Sequence, residues 1–255
     1  MNYPAWSDLN DSSVVPPLGA RHAPDIGPVA VMVSSAPDVK LIQSSNAVSK
    51  TSAFFTSTLM MLATPHEGIC VTGPFLGAPY AVMLLESLIA RGAQKIIVLG
   101  WCGATSDRLA VGDIIVPEKA IVDEGTSRHY KKLDEALPMS FPHTDFSRQA
   151  ADHLIASGIC VKKETIWTTD AIYRETRNKI NHFCSLGAHA VEMECSALFS
   201  VAAYRNVKLA SILVVSDSVA SDDWAPGFGK KQFKTARKNA CASVMAFAKK
   251  MCAHE

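Results

Sequence analysis

Paired cysteines are what this sequence most plainly lacks. Seven are present, an odd number, at Cys70, Cys102, Cys160, Cys184, Cys195, Cys241 and Cys252, and no two stand in a CxxC or other zinc-like spacing. Neither a disulfide framework nor a metal site is expected; the thiols read as reduced and mostly buried. An excess of one charge is also missing. The formal net charge is +1, and the basic residues are scattered in short doublets such as Lys131-Lys132 and Lys230-Lys231. A nucleic-acid partner, which needs a basic face, is not expected. No uninterrupted apolar run reaches the roughly 18 residues of a membrane span. No basic-then-apolar start precedes a cleavage site, so no secretory leader is expected and the reading is cytoplasmic.

What is there suffices for a large core. The chain has 255 residues, 48% of them hydrophobic, and at that length roughly three quarters of the unfolded chain's surface can be buried. Residues 1–28 are rich in Pro, Gly, Ser and Asp without a period, which predicts an irregular arm ahead of one domain over 29–255. Buried strands are predicted at "GPVAVMV" (27–33), "ICVT" (69–72), "KIIVL" (95–99), "DIIVP" and "KAIV" (113–122), "VKKETIWTTD" (161–170) and 209–216. Helices are predicted over 78–91, 145–159, about 192–205 and about 230–250. Apolar strands alternating with helices imply an α/β fold: a single three-layer domain with a mixed, largely parallel central sheet.

Ligands of open α/β sheets collect beyond the carboxyl ends of the strands. Three segments leave such ends with glycine or polar chemistry: Gly73 to Ala78, Gly100 to Ala104, and Ser216-Asp217-Ser218. In "VEMECSALF" two carboxylates, Glu192 and Glu194, bracket Met193 at a helix start. Negative charge is stabilised there by about 0.3–1 kcal/mol, which accounts for one carboxylate better than for two. Glu194 shares a face with Ala197, Leu198 and Val201, so it points inward, and a buried carboxylate is costly without strong partners. A vicinal sugar diol supplies two charge-assisted hydrogen bonds. Asp217 follows "SILVV" at the sheet rim and reads either as a turn cap or as a proton donor to a heterocycle.

Together, "GAPYAVMLLESLIARGAQKIIVLGWCGAT", "VGDIIVPEKAIVDEGTSRHY", "TTDAIYRE", "AVEMECSALFSVAAYRNV" and "LVVSDS" resemble the nucleoside phosphorylases of the purine and uridine type and their nucleosidase relatives. The similarity runs from about Val29 to the C-terminus. It implies cleavage of an N-glycosidic bond, without a cofactor other than phosphate as co-substrate, in a homo-oligomer (dimer or hexamer). By resemblance Glu194 holds the ribose hydroxyls, Met193 packs beneath the sugar, Trp167 stacks on the base, and Asp217 protonates a departing purine. Gly103 and Ser216 are expected among the substrate-binding residues, and Glu192 beside them in a structural, supporting place.

The nucleophile site departs from that pattern. The family's arginine-bearing loop reads "SSAPDVK" here, a second family arginine is replaced by Val98, and Trp101 stands in place of a small hydroxyl residue. Two readings follow. Phosphate is held by the Ser34-Ser35 pair, Arg128, Lys40 and backbone N–H groups of the Gly73 and Gly100 loops; or water replaces phosphate, with Asp38 as the activating base. The function read from the sequence is a nucleoside phosphorylase acting on a purine nucleoside, with a nucleosidase and an inactive nucleoside-binding protein as alternatives.

Overall fold

In a computed structural model, residues 9–133 and 136–253 are described, so the first eight residues of the predicted arm and two positions near 134 lie outside it. Residues 9–28 carry no helix or strand. The ordered elements begin with strand β1 (Val29–Val33), helix α1 (Ala36–Ser45), strands β2 (Val48–Phe54), β3 (Ser57–Leu62) and β4 (Ile69–Gly73), and helix α2 (Ala78–Ala90). Strands β5 (Lys95–Ala104), β6 (Ile114–Asp123) and β7 (Met139–Ser140) lead to helix α3 (Thr144–Ala156) and strand β8 (Val161–Thr169). Helix α4 (Arg177–Ser185), strand β9 (Ala188–Glu192), helix α5 (Cys195–Tyr204), strands β10 (Lys208–Ser218) and β11 (Ala225–Pro226), and helix α6 (Lys231–Cys252) complete the chain.

Among the described residues all eleven strands join one mixed sheet. The pairings β4–β1–β5–β10 and β6–β8–β9 are parallel, while β2–β3–β4, β10–β6 and β5–β9 are antiparallel. Strands buried on both faces read as unbroken apolar runs, and every residue of β1 and β4 is buried. Helices α1, α3 and α6 cover one face around Ile97, Ile212, Phe233 and Phe247. Helices α2 and α5 cover the other, packing Ala81, Leu85, Leu198 and Phe199 against Ile96 and Leu213. Small residues in "CSALFSVAAY" let α5 lie close, and its first eight residues are all buried.

The structure redraws three stretches. "GWCGA" does not turn away after Leu99, because β5 continues to Ala104, paired with β10 throughout. "DIIVP" and "KAIV" are one strand with a register shift between Pro117 and Lys119. The helix predicted from 192 starts at Cys195, and Glu192 instead ends a short strand. That strand closes a ring: β5, β10, β6, β8 and β9 pair in turn, and β9 returns to β5. At its corner Gly103 pairs with Asp217 on one side and Val191 on the other. The carboxyl ends of β5, β9 and β10 therefore meet at one place.

Candidate active site

The start of α5 is held by a network of buried acceptors. Glu192 Oε2 accepts the backbone N–H of Glu194 and of Cys195, both at 2.8 Å, and its Oε1 accepts the Thr168 hydroxyl at 2.5 Å. The Thr168 oxygen also accepts the Ser196 N–H at 3.0 Å, and the Ser196 hydroxyl donates to Glu124 at 2.9 Å. Glu192 is thus the anion that satisfies the helix N-terminus, with three donors already on it.

Glu194 differs. It is the cap residue of α5, 8% exposed, and its side chain crosses to α2, where Oε1 accepts the Gly77 N–H at 2.5 Å. Burial first, then the charge of Glu192, pushes Glu194 up to about 8, while the Gly77 and Met193 N–H groups pull it down. Burial also raises Glu192, against its three donors. Of the pair, Glu194 is the carboxyl that takes a proton, because fewer donors favour its ionised form. A carboxylate offers about four acceptor positions, so capacity remains for further donors. Met193 beside it is half-buried.

Asp217 stands at the corner where β5 and β10 end. Its Oδ1 accepts the Ser216 hydroxyl at 2.5 Å, and its Oδ2 accepts the Trp224 indole N–H at 2.8 Å. Ser216 lies in the register shift between Val215 and Asp217, which turns successive side chains toward the rim. Gly103 leaves room for the acid: a Cβ there would sit 3.3 Å from Asp217 Oδ2 and 3.4 Å from Val191. The structure brings Met193, Glu194, Gly103, Ser216 and Asp217 to neighbouring ends of β9, β5 and β10.

Trp167 has a different place from the one predicted. It is 0% exposed, stacked on Phe183 with centroids 4.4 Å apart, and its indole N–H donates to Asp123 at 3.0 Å. No face of the ring is open to a base. Ile121, Ile180, Ala188 and Val191 enclose it in a satellite core under α4. Trp167→Phe is expected to lower stability by about 1–2 kcal/mol through a partly filled cavity and to leave KM for any nucleoside unchanged; a large rise in KM with intact folding would restore a ligand contact.

The residues predicted to receive the nucleophile are also committed elsewhere. Ser35 caps α1, accepting the Asp38 N–H at 3.3 Å and donating its hydroxyl to Asp38 Oδ2 at 2.7 Å. Asp38 is 1% exposed. Its Oδ2 also accepts the Trp101 indole N–H at 2.7 Å, and its Oδ1 receives Nε and Nη2 of Arg237 at 2.8 and 2.6 Å. A carboxylate so filled has no lone pair with which to activate water, which corrects the reading of Asp38 as a base. Gly73 serves close packing: its φ is +153° and a Cβ would lie 2.1 Å from the Val33 carbonyl oxygen. Arg128 lines a separate cleft of about 560 Å³ with Asp123, Glu124, Gly125, Leu133 and Pro138. Lys40 is exposed on α1. Nearer the rim, the Ser34 hydroxyl lies beside Gly100, 3.4 Å from where a Cβ would stand.

Two residues of this region escaped the sequence reading. Trp224 sits in "SDDWAPGF", 59% exposed although its indole is bonded to the acid; an aromatic so soon after "SD" was its signal. Arg237 shares a helical phase with Phe233, Ala240 and Val244, all buried, and an arginine on an apolar face calls for an internal partner. It is packed over Trp101 at 4.9 Å and Phe233 at 5.5 Å. The cysteines are all free: four are buried, two partly so, and Cys160 is exposed. Burial pushes Cys102 and Cys195 well above the usual thiol range. Among the described residues no helix is long and apolar enough to cross a membrane.

Comparison with known proteins identifies the fold and the family. The fold is similar to purine nucleoside phosphorylase from Toxoplasma gondii in complex with immucillin-H, with TM-score 0.80 at 19% identity over 96% of this chain and 99% of that one. Uridine phosphorylase from Vibrio fischeri superposes with TM-score 0.75 at 19% identity, covering 94% and 95%. In sequence, DeoD-type purine nucleoside phosphorylases of Bacillus cereus and Bacillus thuringiensis are each 31% identical over 153 residues, 59% of this chain. The matched stretch spans 64% of the length of each of these relatives. The family model described as Phosphorylase superfamily matches residues 28–249, nearly the whole ordered sheet and its helices, and the chain belongs to that superfamily.

Proposed function

We propose that the chain is a nucleoside phosphorylase acting on purine nucleosides, with phosphate as its only co-substrate. The observation that carries this reading is the buried Glu194, bonded to the α2 N-terminus with acceptor positions left over, at the same sheet corner as Asp217. A furanose diol donates to Glu194 and favours its ionised form. As the glycosidic bond lengthens, the sugar gains positive charge and the base gains electrons. Asp217 is the acid for the base, and Trp224, bonded to it, offers the exposed aromatic face that Trp167 does not. Phosphate attacks the sugar carbon from the side of Ser34 and Gly100. Saturation of Asp38 favours phosphate over water as the nucleophile, since no base for water stands free in that loop.

Incubation with inosine, adenosine and uridine, with and without phosphate, tests the reading. Purine release that requires phosphate and yields pentose 1-phosphate is the expected result. Release without phosphate overturns the choice of nucleophile, and faster cleavage of uridine overturns the choice of base. General acid catalysis is worth about 10²–10⁴-fold, so Asp217→Asn is expected to slow inosine cleavage by that order. An N7-methylated purine nucleoside, whose base leaves without a proton, should be slowed far less. Equal losses on both substrates argue against the acid role.

A further inference from the structure

Glu194 is the cap residue of α5, yet its side chain does not cap that helix. An N-cap side chain ordinarily accepts the backbone N–H two or three positions on, here that of Ser196 or Ala197. The Glu194 carboxylate turns away instead, to the Gly77 N–H at 2.5 Å. Other strands take over its ordinary duty. Thr168, 0% exposed near the end of β8, accepts the Ser196 N–H at 3.0 Å and donates its own hydroxyl to Glu192 at 2.5 Å. Thr168 and Glu192 stand opposite each other in the β8–β9 register. One hydroxyl therefore closes the helix start and also steadies the acid that holds the N–H groups of Glu194 and Cys195.

The "EGTS" turn after β6 fixes Ser196 from the other side. Glu124, 5% exposed, gathers the N–H groups of Thr126 and Ser127 and the Ser127 hydroxyl, and it accepts the Ser196 hydroxyl at 2.9 Å. With its hydroxyl on Glu124 and its N–H on Thr168, Ser196 has no donor left for Glu194. We propose that Thr168 is a positioning residue for sugar binding: by capping α5 from β8, it frees the Glu194 carboxylate to meet the diol. This rests on the sugar-binding role proposed for Glu194, and the fully buried Thr168 acts through that residue rather than on the substrate.

The physical reason is the cost of a buried donor without a partner, which is comparable to a lost hydrogen bond. Without the Thr168 hydroxyl, the Ser196 N–H needs a new acceptor. The Glu194 carboxylate, two residues back in the chain, can turn onto it as an ordinary N-cap. Gly77 is half-buried, so its N–H can bond to water in exchange. The diol then loses its partner.

Thr168→Val removes the hydroxyl with little change of shape, and Thr168→Ser keeps it. Crystal structures of the two variants read the first step without turnover. In Thr168→Val a Glu194 oxygen is expected within about 3 Å of the Ser196 nitrogen, with the Gly77 contact broken. In Thr168→Ser it should stay on Gly77. A Glu194 that remains on Gly77 in the valine variant overturns the proposal. Kinetics read the second step. KM for inosine should rise about 10-fold in Thr168→Val, as hydrogen bonds to a charged acceptor are lost, and return to the wild-type level in Thr168→Ser. Inhibition by hypoxanthine, a free base with no diol, should not change. Equal losses for nucleoside and base reveal a loosened site and also overturn the proposal. Glu192 gives up a donor in the valine variant. Thr168→Val with Glu192→Gln, which leaves no buried charge short of a donor, replaces it if the single variant does not fold, with the same outcomes expected. A wild-type protein that cleaves no nucleoside sinks the functional reading and the link to sugar binding, while the structures still decide whether Thr168 holds Glu194 off its own helix.

Discussion

Glu194→Ala is expected to lower kcat/KM for a purine nucleoside by about 10²–10⁴-fold without loss of the fold. Two hydrogen bonds from a diol to a carboxylate are worth about 1.5–3 kcal/mol each, and every 1.36 kcal/mol is tenfold in rate. The folded state does not depend on this side chain, because Glu192 already satisfies the N–H groups of Glu194 and Cys195. Wild-type kinetics in the variant would remove the sugar-binding assignment.

A less severe change, Glu194→Gln, separates the carboxylate's cost from its use. Burial and the charge of Glu192 push Glu194 up to about 8 in the folded chain, against about 4.3 when unfolded. An acid raised on folding favours the native state fully below its unfolded value, and that contribution is lost as pH rises toward the folded value. The wild type therefore loses stability between about pH 4.5 and 8, and the glutamine variant escapes that loss. Thermal melts should coincide at pH 4, diverge through neutrality, and differ by at least about 2 °C at pH 9 in favour of the variant. Coincident melts at pH 9 would mean that the side chain is already solvated. Substrate binding runs against the same proton: a diol that re-ionises Glu194 releases it, so nucleoside affinity should improve as pH rises from 6 to 8.

Arg237→Met should be the most damaging single change to stability outside the apolar core. Asp38 is 2% exposed at its side chain and Arg237 17%, with their closest atoms 2.6 Å apart. Removing one partner of a buried ion pair costs about 3–5 kcal/mol, because the other charge stays buried and uncompensated. The Ser35 and Trp101 donors remain on Asp38, which places the expected cost toward the lower end. At about 2–4 °C per kcal/mol, the melting temperature should fall by about 6–15 °C. Neutralising the partner as well, in Asp38→Asn with Arg237→Met, should recover most of the loss, since asparagine keeps an acceptor for both remaining donors. That double variant also tests catalysis. A structural Asp38 leaves nucleoside cleavage at the wild-type level once folding is restored, whereas a base at this position would take turnover with it.

The apolar runs of β1, β4 and β10, and the period of α2 and α6, were legible because strands buried on both faces and amphipathic helices must write their burial into local order. Position within a motif carried over as well: "VEME" and "SD" put Glu194 and Asp217 at element ends, where the fold places them. The continuation of β5 through Gly100 and Gly103 was not legible, since glycine signals a turn unless a partner strand claims it. Nor was the duty of Trp167, Asp38 or Ser35. An aromatic beside a polar "TTD" looks ligand-facing until Phe183, further along the chain, is seen to cover it. An acid in a loop looks reactive until a guanidinium from the last helix fills it. The sequence by itself determined which segments are buried, which elements they form and where Glu194 and Asp217 fall along the chain, because those properties follow from neighbours within a few residues. Only the tertiary structure decided which acids are spent on internal donors and which stay open, because hydrogen-bond saturation depends on groups far apart in the chain and close in space.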